Sequence, residues 1–472
     1  MRPRHILLFF SCVIALLTAI GELFPSDGVM LGNTHIGFAS LHTLVESRQA
    51  HAPVNIATTE PANLLQQHDS VAYYRSLVER GDLRFWLPNP HYFDAFWRNA
   101  INARHQGRTV RILHYGDSQI EMDHITSRLR AYMQSNFGGG GPGMVPFHTI
   151  TPTLTISQST SGELSHLSSF GDSTVVRSYG NYGPMMQCFR MAEGSATVNL
   201  RASQHKSVDD HVKHFSNITL LYNNRGQQLK ASLTDRQHKV NLPDDGTSES
   251  GIGSFVWRLD SATNSVRLTV RGNADLYGVL VDDGAGVAVD NIPMRGCSGQ
   301  QFTLVPEDKL TTAYAYMDIG LIILQFGGNS VPYLKTGKQI STYCQSLGRQ
   351  IDHLHQCCPK AKLLFIGPSD MSTRLRGQLQ TYPIIPELID SLAATATAHG
   401  AAFWSIYHAM GGHNSMPEWS RQGLAGQDYI HFSQRGADLM GDRLSEALDN
   451  SYRLYCLERK VKNKKRERKN EK

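Results

Sequence analysis

Four short apolar runs, at 110–115, 321–324, 361–366 and 401–406, alternate along this chain with stretches whose apolar residues recur every three or four positions. Met122, Ile125, Leu129 and Met133 follow the first run. Tyr343, Leu347, Ile351 and Leu354 precede the third, a helical stretch at 386–399 precedes the fourth, and Ala437, Met440, Leu444 and Leu448 come last. A wholly apolar run of strand length needs burial on both faces, whereas the helical spacing asks for one apolar stripe. The alternation predicts an α/β fold of three layers, a parallel sheet covered by helices on each side. Such sheets collect ligands at the carboxyl ends of their strands.

The segment Arg111-Ile-Leu-His-Tyr-Gly-Asp-Ser-Gln119 sets Ser118 at such an end, on the turn into the first helical stretch. Free amides at a helix N-terminus favour negative charge developing there. Far downstream, Asp428-Tyr-Ile-His431 offers a base with a carboxylate three residues before it. Serine, histidine and aspartate are the groups that turn a weak hydroxyl into an acyl-group nucleophile. Alone, Gly-Asp-Ser describes a helix cap equally well, and Asp117 reads as a turn aspartate capping its own backbone. His114, His124, His408 and His413 read as structural or solvent-facing.

With Val289-Asp-Asn-Ile-Pro-Met-Arg-Gly296 and Leu321-Ile-Ile-Leu-Gln-Phe-Gly-Gly-Asn329 between them, these segments resemble, in order, the four sequence blocks of the SGNH, or GDSL, hydrolases. Within that superfamily the layout is similar to peptidoglycan or polysaccharide O-acetylesterases with an inserted carbohydrate-binding-like β domain. The resemblance implies a flavodoxin-like sheet and an ester hydrolase. It implies Ser118 as nucleophile, His431 as general base and Asp428 as the carboxylate orienting it. It also implies an oxyanion hole made by the backbone amides of Ser118 and Gly296 and the side-chain amide of Asn329. Three positions depart from the pattern: Gln119 stands in place of the name-giving leucine, Pro293 in place of a common glycine, and Ser330 in place of an aspartate.

The chain has 472 residues, about twice what such a core needs. The excess falls at 151–278, where alternating and β-branched stretches such as 217–222, 253–259 and 265–270 are separated by turn residues. That texture predicts an inserted antiparallel β-sandwich. The insert reads either as a glycan-binding module or as a structural one. Tyr179, Tyr182 and Trp257 would stack on sugar rings in the first case and pack the core in the second. The sequon at Asn217 lies in a strand pattern and reads as chance. The glycine run at 137–143 lacks the Lys-Ser/Thr ending of a P-loop and predicts a turn near the active site. The stretch 407–430, just before Asp428, predicts a loop serving as lid or substrate wall.

The domain reading is a signal peptide or membrane anchor at 1–21, a linker and extension at 22–80, hydrolase parts at 81–150 and 279–452 around the insert at 151–278, and a basic tail at 453–472. Arg2 and Arg4 precede a 15-residue apolar run at 6–20, short for a membrane span and suited to a secretory signal, with an uncleaved anchor as the alternative. Setting Cys12 aside leaves six cysteines, an even set compatible with disulfides. No Cys-x-x-Cys or His-Glu-x-x-His pattern points to zinc, and no cofactor is expected. Residues 459–472 hold nine Lys or Arg and two Glu, so a tail of +7 exceeds the +5 of the whole chain. Such a run reads as disordered and solvated, or as drawn to anionic lipid or cell-wall polymer, not as a nucleic-acid site.

Together these features predict an exported serine esterase acting on an acetylated cell-wall or surface glycan, periplasmic or envelope-associated. The alternatives are an O-acetyltransferase with the same triad, a lipase or thioesterase, and a non-catalytic glycan-binding surface protein.

Overall fold

The structure, a computed structural model, describes residues 66–470 apart from 172–179, 227, 236–239, 244 and 247–250, together with the hairpin strands Val29–Leu31 and Thr34–Ile36. The signal or anchor segment 1–21 and Tyr179 lie outside the described residues. The chain divides into two units, 1–66 and 67–472.

Six strands make the central sheet of the second unit: β1 Phe85–Trp86, β2 Thr109–Gly116, β3 Gly286–Pro293, β4 Ile319–Gln325, β5 Lys362–Gly367 and β6 Ala402–Ser405. Their order is β3-β2-β4-β5-β6-β1, parallel throughout except where β1 pairs antiparallel with β6. Leaving β1 aside, the parallel strands run 2-1-3-4-5 in chain order, the flavodoxin-like winding that the sequence predicted. The two-residue edge strand β1 has no periodicity to read and was not anticipated.

Both faces of the sheet are buried, which is why its strands read as predominantly apolar runs. Val110 and Ile112 of β2 join a core with helices α1 Asp94–Ala103, α2 Thr126–Phe137 and α5 Gln434–Asn470. Leu113 and Tyr115, pointing the other way, join one with α3 Gly337–Cys357 and α4 Ile385–Ala398. The stripe Tyr343, Leu347, Ile351 and Leu354 is the buried face of α3, whose start is fixed by a capping box between Thr336 and Gln339.

The first helix differs from its predicted extent. It begins at Thr126, and residues Ser118–Asp123 form a kinked 3-10 turn. Met122, Asp123 and Ile125 have positive φ values of 57°, 69° and 61°, so Met122 leaves the helix face and is exposed while Ile125 is buried. The three-and-four spacing runs across a kink that periodicity alone does not register. Left-handed backbone at such residues costs about 1–3 kcal/mol each. A buried clamp holds it: Arg130 donates to Asp123 at 2.5 and 2.9 Å, and Thr155 Oγ1 donates to the same carboxylate at 2.7 Å.

Between β2 and β3 the chain builds an antiparallel sheet whose strands run from Gly143–Val145 to Ser265–Asp282. Its hub is Ser265–Asp282, which pairs with Gln187–Ala202, Phe215–Asn224, Lys230–Thr234 and Gly143–Val145. Register shifts at Gly272/Ala274 and Leu276/Gly278 mark where this strand changes partners. The ten strands are linked through this hub into an antiparallel unit with its own apolar core, as the inserted β domain requires. Trp257 and Tyr182 are each 1% exposed, so the core reading holds for both and neither offers a stacking face. Trp257 Nε1 donates to the Asn241 carbonyl at 3.1 Å.

Other expectations are also corrected. Cys188, Cys297, Cys344, Cys357, Cys358 and Cys456 are all free thiols. The glycine run meets the start of β3, with a Cβ at Gly139 falling 2.3 Å from the Val287 carbonyl oxygen, so it serves close backbone approach at the end of the sheet away from Ser118. The stretch 407–430 holds the short helix Ser415–Arg421 and buries Met416 and Trp419, making a packed wall and not a loose lid. The basic tail continues α5 as helix to Asn470, because Lys and Arg are good helix formers and cations suit a helix C-terminus. Among the described residues no helix is long and apolar enough to cross a membrane.

Candidate active site

In a 2-1-3-4-5 winding the crevice opens between the first and third parallel strands, here β2 and β4. Ser118 follows β2 by two residues and Asn329 follows β4 by four. The Asp117 amide donates to the Gln325 carbonyl (3.3 Å), and the Met294 amide to the Gly116 carbonyl (2.7 Å), so three strand ends are tied together around the serine.

His431 reaches Ser118 from the turn before α5, 313 residues away. Ser118 Oγ lies 2.9 Å from His431 Nε2, and His431 Nδ1 lies 2.7 Å from Asp428 Oδ2. An ionised carboxylate only accepts, so the Asp428 contact places the proton on Nδ1 and leaves Nε2 to accept from the serine hydroxyl. The other Asp428 oxygen accepts from the Ile430 and His431 amides at 3.0 and 3.1 Å. Partial burial opposes ionisation of Asp428, but the hydrogen bonds from His431 and these amides outweigh it and hold its pKa below the ordinary value. The turn is tight enough to put Tyr429 at φ 56°.

Ser118, Asn329 and His431 line one cavity of about 190 Å³. Gly296, at φ 77°, lines the adjoining groove and shares Asn329 with the serine cavity. Asn329 Nδ2 donates to the Cys297 carbonyl (3.0 Å) and to Asp117 Oδ2 (3.2 Å). The acidic partner missing at Ser330 is thus supplied by Asp117. That residue also caps its turn as the sequence suggested, its Oδ1 accepting from the Gln119 amide at 3.0 Å.

Burial pushes the Asp117 carboxyl from its ordinary 3.8 up to about 6, against the opposing effects of the Gln119 amide, His431 and Asn329. A carboxyl whose pKa is raised by folding binds its proton more tightly in the folded state. Its contribution to stability is therefore full below the unfolded value and lost as pH rises through about 6. At 1.36 kcal/mol per pH unit the loss is on the order of 3 kcal/mol by neutral pH. Asp117→Asn removes this term, so the stability difference between variant and parent, followed by urea unfolding from pH 4 to 7.5, shifts toward the variant as pH rises; a flat difference contradicts it.

Among the described residues, no other histidine lines the serine cavity. His114 is buried between Gln325 (3.1 Å) and Thr126 (2.9 Å), and burial pushes its pKa down to about 4. His408 Nδ1 pairs with Ser405. Two arrangements were not anticipated from sequence: Arg295 grips Glu121 in the Ser118–Asp123 turn, and Gln119 bonds the chain on each side of His431. The only sequence signal for the second was glutamine standing where leucine was expected.

Residues 260–439 match the family model for the GDSL-like lipase/acylhydrolase family. This segment is a GDSL-like acylhydrolase segment. The match contains Gly296, Asn329, Asp428 and His431 but not Ser118, which the insert separates from them. No curated protein matches this hydrolase. Among solved structures it is similar to a peptidoglycan O-acetylesterase, with 21% identity and a TM-score of 0.61 over 76% of this chain and 96% of the other. A family two carbohydrate esterase from Cellvibrio japonicus aligns at 9% identity and a TM-score of 0.26, covering 63% of this chain and 99% of that one. The first likeness is one of fold. The acylhydrolase match at 260–439 places the chemistry of this segment with hydrolases of carboxylic esters.

Proposed function

We propose that this hydrolase is an exported serine esterase that removes O-acetyl groups from a cell-envelope glycan, with peptidoglycan as its substrate. The observation carrying the reading is the relay from Ser118 through His431 to Asp428, with bonds of 2.9 and 2.7 Å. Ser118 Oγ attacks the acetyl carbonyl while His431 Nε2 takes its proton, and the charge moves to the carbonyl oxygen. Collapse breaks the ester C–O bond, and His431 returns the proton to the leaving sugar hydroxyl. Water then attacks acetyl-Ser118 with His431 again as base, releasing acetate and restoring the serine.

The Ser118 and Gly296 amides and the Asn329 side chain are the donors for the oxyanion. Of the two Asn329 bonds, the longer one to Asp117 is the one a developing oxyanion competes for. Asn329→Ala is expected to lower kcat by about 100- to 1000-fold with little change in KM, measured with an acetyl aryl ester; an unchanged kcat removes Asn329 from the site.

A cavity of 190 Å³ suits a short acyl group, since pockets for drug-sized ligands run to about 300–1,000 Å³. The glycan has room in a separate cavity of about 720 Å³, lined by Glu121 and Met122 of the turn that follows Ser118, by Arg295, and by His166 and Phe170 of the insert. A protein of the same fold that is a peptidoglycan O-acetylesterase supports this choice of substrate. The 1–21 segment and the basic end of α5 are the proposed contacts with the membrane or another anionic envelope surface.

The test is acetate release by the purified chain from acetylated sacculi, beside acetyl and long-chain aryl esters. Release from sacculi with a preference for acetyl is expected. Turnover confined to long chains sinks the glycan reading, and transfer of acetyl to an added sugar acceptor in place of release favours the acetyltransferase alternative.

A further inference from the structure

The triad is assembled from two turns that have little holding them together. His431 and Asp428 have side chains 47% exposed each, so packing does not fix the imidazole from the sides. Several bonds shape the histidine turn internally: the two amides on Asp428, and the Gly426 amide on the His431 carbonyl at 2.8 Å. Phe432 anchors it on Trp419, with ring centroids 5.2 Å apart, and the Tyr429 carbonyl accepts from the Ser372 amide at 3.1 Å. None of these contacts refers to the nucleophile turn.

Gln119 does. Its Nε2 donates to the Ile430 carbonyl at 2.7 Å, and its Oε1 accepts from the Phe432 amide at 3.3 Å. One planar amide thus engages the backbone on both sides of His431, as a neighbouring strand would. Its own backbone amide is held by Asp117 next to Ser118, at 3.0 Å. The residue beside the nucleophile is therefore bonded directly to the residues flanking the base. A leucine in this place fills similar volume and makes neither bond. A glutamate keeps an acceptor for Phe432 but turns a carboxylate oxygen toward the Ile430 carbonyl.

We infer that Gln119 is a positioning residue for the esterase reaction, a two-point clamp that sets His431 Nε2 at proton-transfer distance from Ser118 Oγ. The inference rests on the serine-esterase reading above. It touches no reacting atom, and its effect is on how often the hydroxyl and the imidazole are aligned. Misplacement of a catalytic group by about an ångström can cost on the order of a hundredfold in rate.

The experiment compares Gln119→Leu and Gln119→Glu with the parent chain by three readouts: steady-state kinetics on an acetyl aryl ester, the rate of Ser118 sulfonylation by phenylmethylsulfonyl fluoride, and the thermal midpoint. Sulfonylation forms the Ser118 Oγ–S bond and expels fluoride, with the hydroxyl proton taken by His431, so it reports alignment without a substrate-binding site for sugar. Both variants are expected to lose about ten- to a hundredfold in kcat and a similar factor in sulfonylation rate, with KM within about twofold and the thermal midpoint little changed. Rates within about twofold of the parent in either folded variant overturn the clamp. A lowered thermal midpoint with parental rates in the folded fraction also overturns it, assigning Gln119 to stability alone. If the parent neither turns over esters nor reacts with the sulfonyl fluoride, it is the esterase reading that fails, and the clamp falls with it.

Discussion

Ser118→Ala is expected to abolish acetate release while leaving the fold in place. The hydroxyl makes one side-chain bond, to His431, so its removal costs stability no more than about 1 kcal/mol. The chemical loss is far larger. Without the oxygen no acyl-enzyme forms, and removing a serine nucleophile elsewhere lowers kcat on the order of a millionfold, leaving only what the oxyanion donors supply to attack by water. Acetate release from sacculi and the mass increment on sulfonylation should vanish together, with an unchanged thermal midpoint. Substantial release by the alanine variant means that some other group is the nucleophile, and neither His431 nor Asn329 would then keep its assigned role. Loss of both sulfonylation and acetate release, in a protein that still binds sacculi, is the pattern that separates an enzyme from a glycan-binding surface protein.

Arg111→Met is expected to have the largest effect on stability. Arg111 lies in β2 with its side chain 4% exposed, facing Asp282 at 3% and Asp290 at 0%. Its guanidinium meets Asp282 Oδ2 at 2.5 Å and both oxygens of Asp290 at 2.9 and 2.6 Å. Asp282 ends the hub strand of the inserted sheet, Asp290 sits in β3, and the Met144 amide of another insert strand donates to Asp290 at 2.7 Å. One cation therefore ties the insert to the hydrolase sheet. Methionine leaves two buried carboxylates without their counter-ion, a loss of about 3–5 kcal/mol. Urea unfolding measures it. Adding Asp282→Asn and Asp290→Asn should recover part of the loss, because the buried charges go with their partner. A single variant destabilised by less than about 1 kcal/mol would falsify the tie.

Much of the fold was legible because its signals are local. The apolar runs of β2, β4, β5 and β6 report burial on both faces, and the stripe of α3 reports one. The order of Ser118, Gly296, Asn329, Asp428 and His431 was readable because each sits in a short block. Where reading failed, the deciding contact was remote. Met122 was placed on a helix that starts four residues later, since the clamp from Arg130 and Thr155 that holds the kink is not a periodicity. Trp257 and Tyr182 carry no mark of which way they point until strands pair.

What the sequence determined by itself is the class of fold and the residue types able to run ester chemistry, since hydrophobic period and residue chemistry are properties of short stretches. What only the tertiary structure decided is whether those residues meet. Ser118 and His431 lie 313 positions apart, and their 2.9 Å bond depends on the parallel winding and on the turn before α5, with Gln119 bonded across the gap. Asp117 went from a turn cap to a buried carboxyl raised to about 6 for the same reason. Burial and long-range hydrogen bonding are set by the whole packed chain, so a residue's neighbours in space, unlike its neighbours in sequence, must be found in the fold.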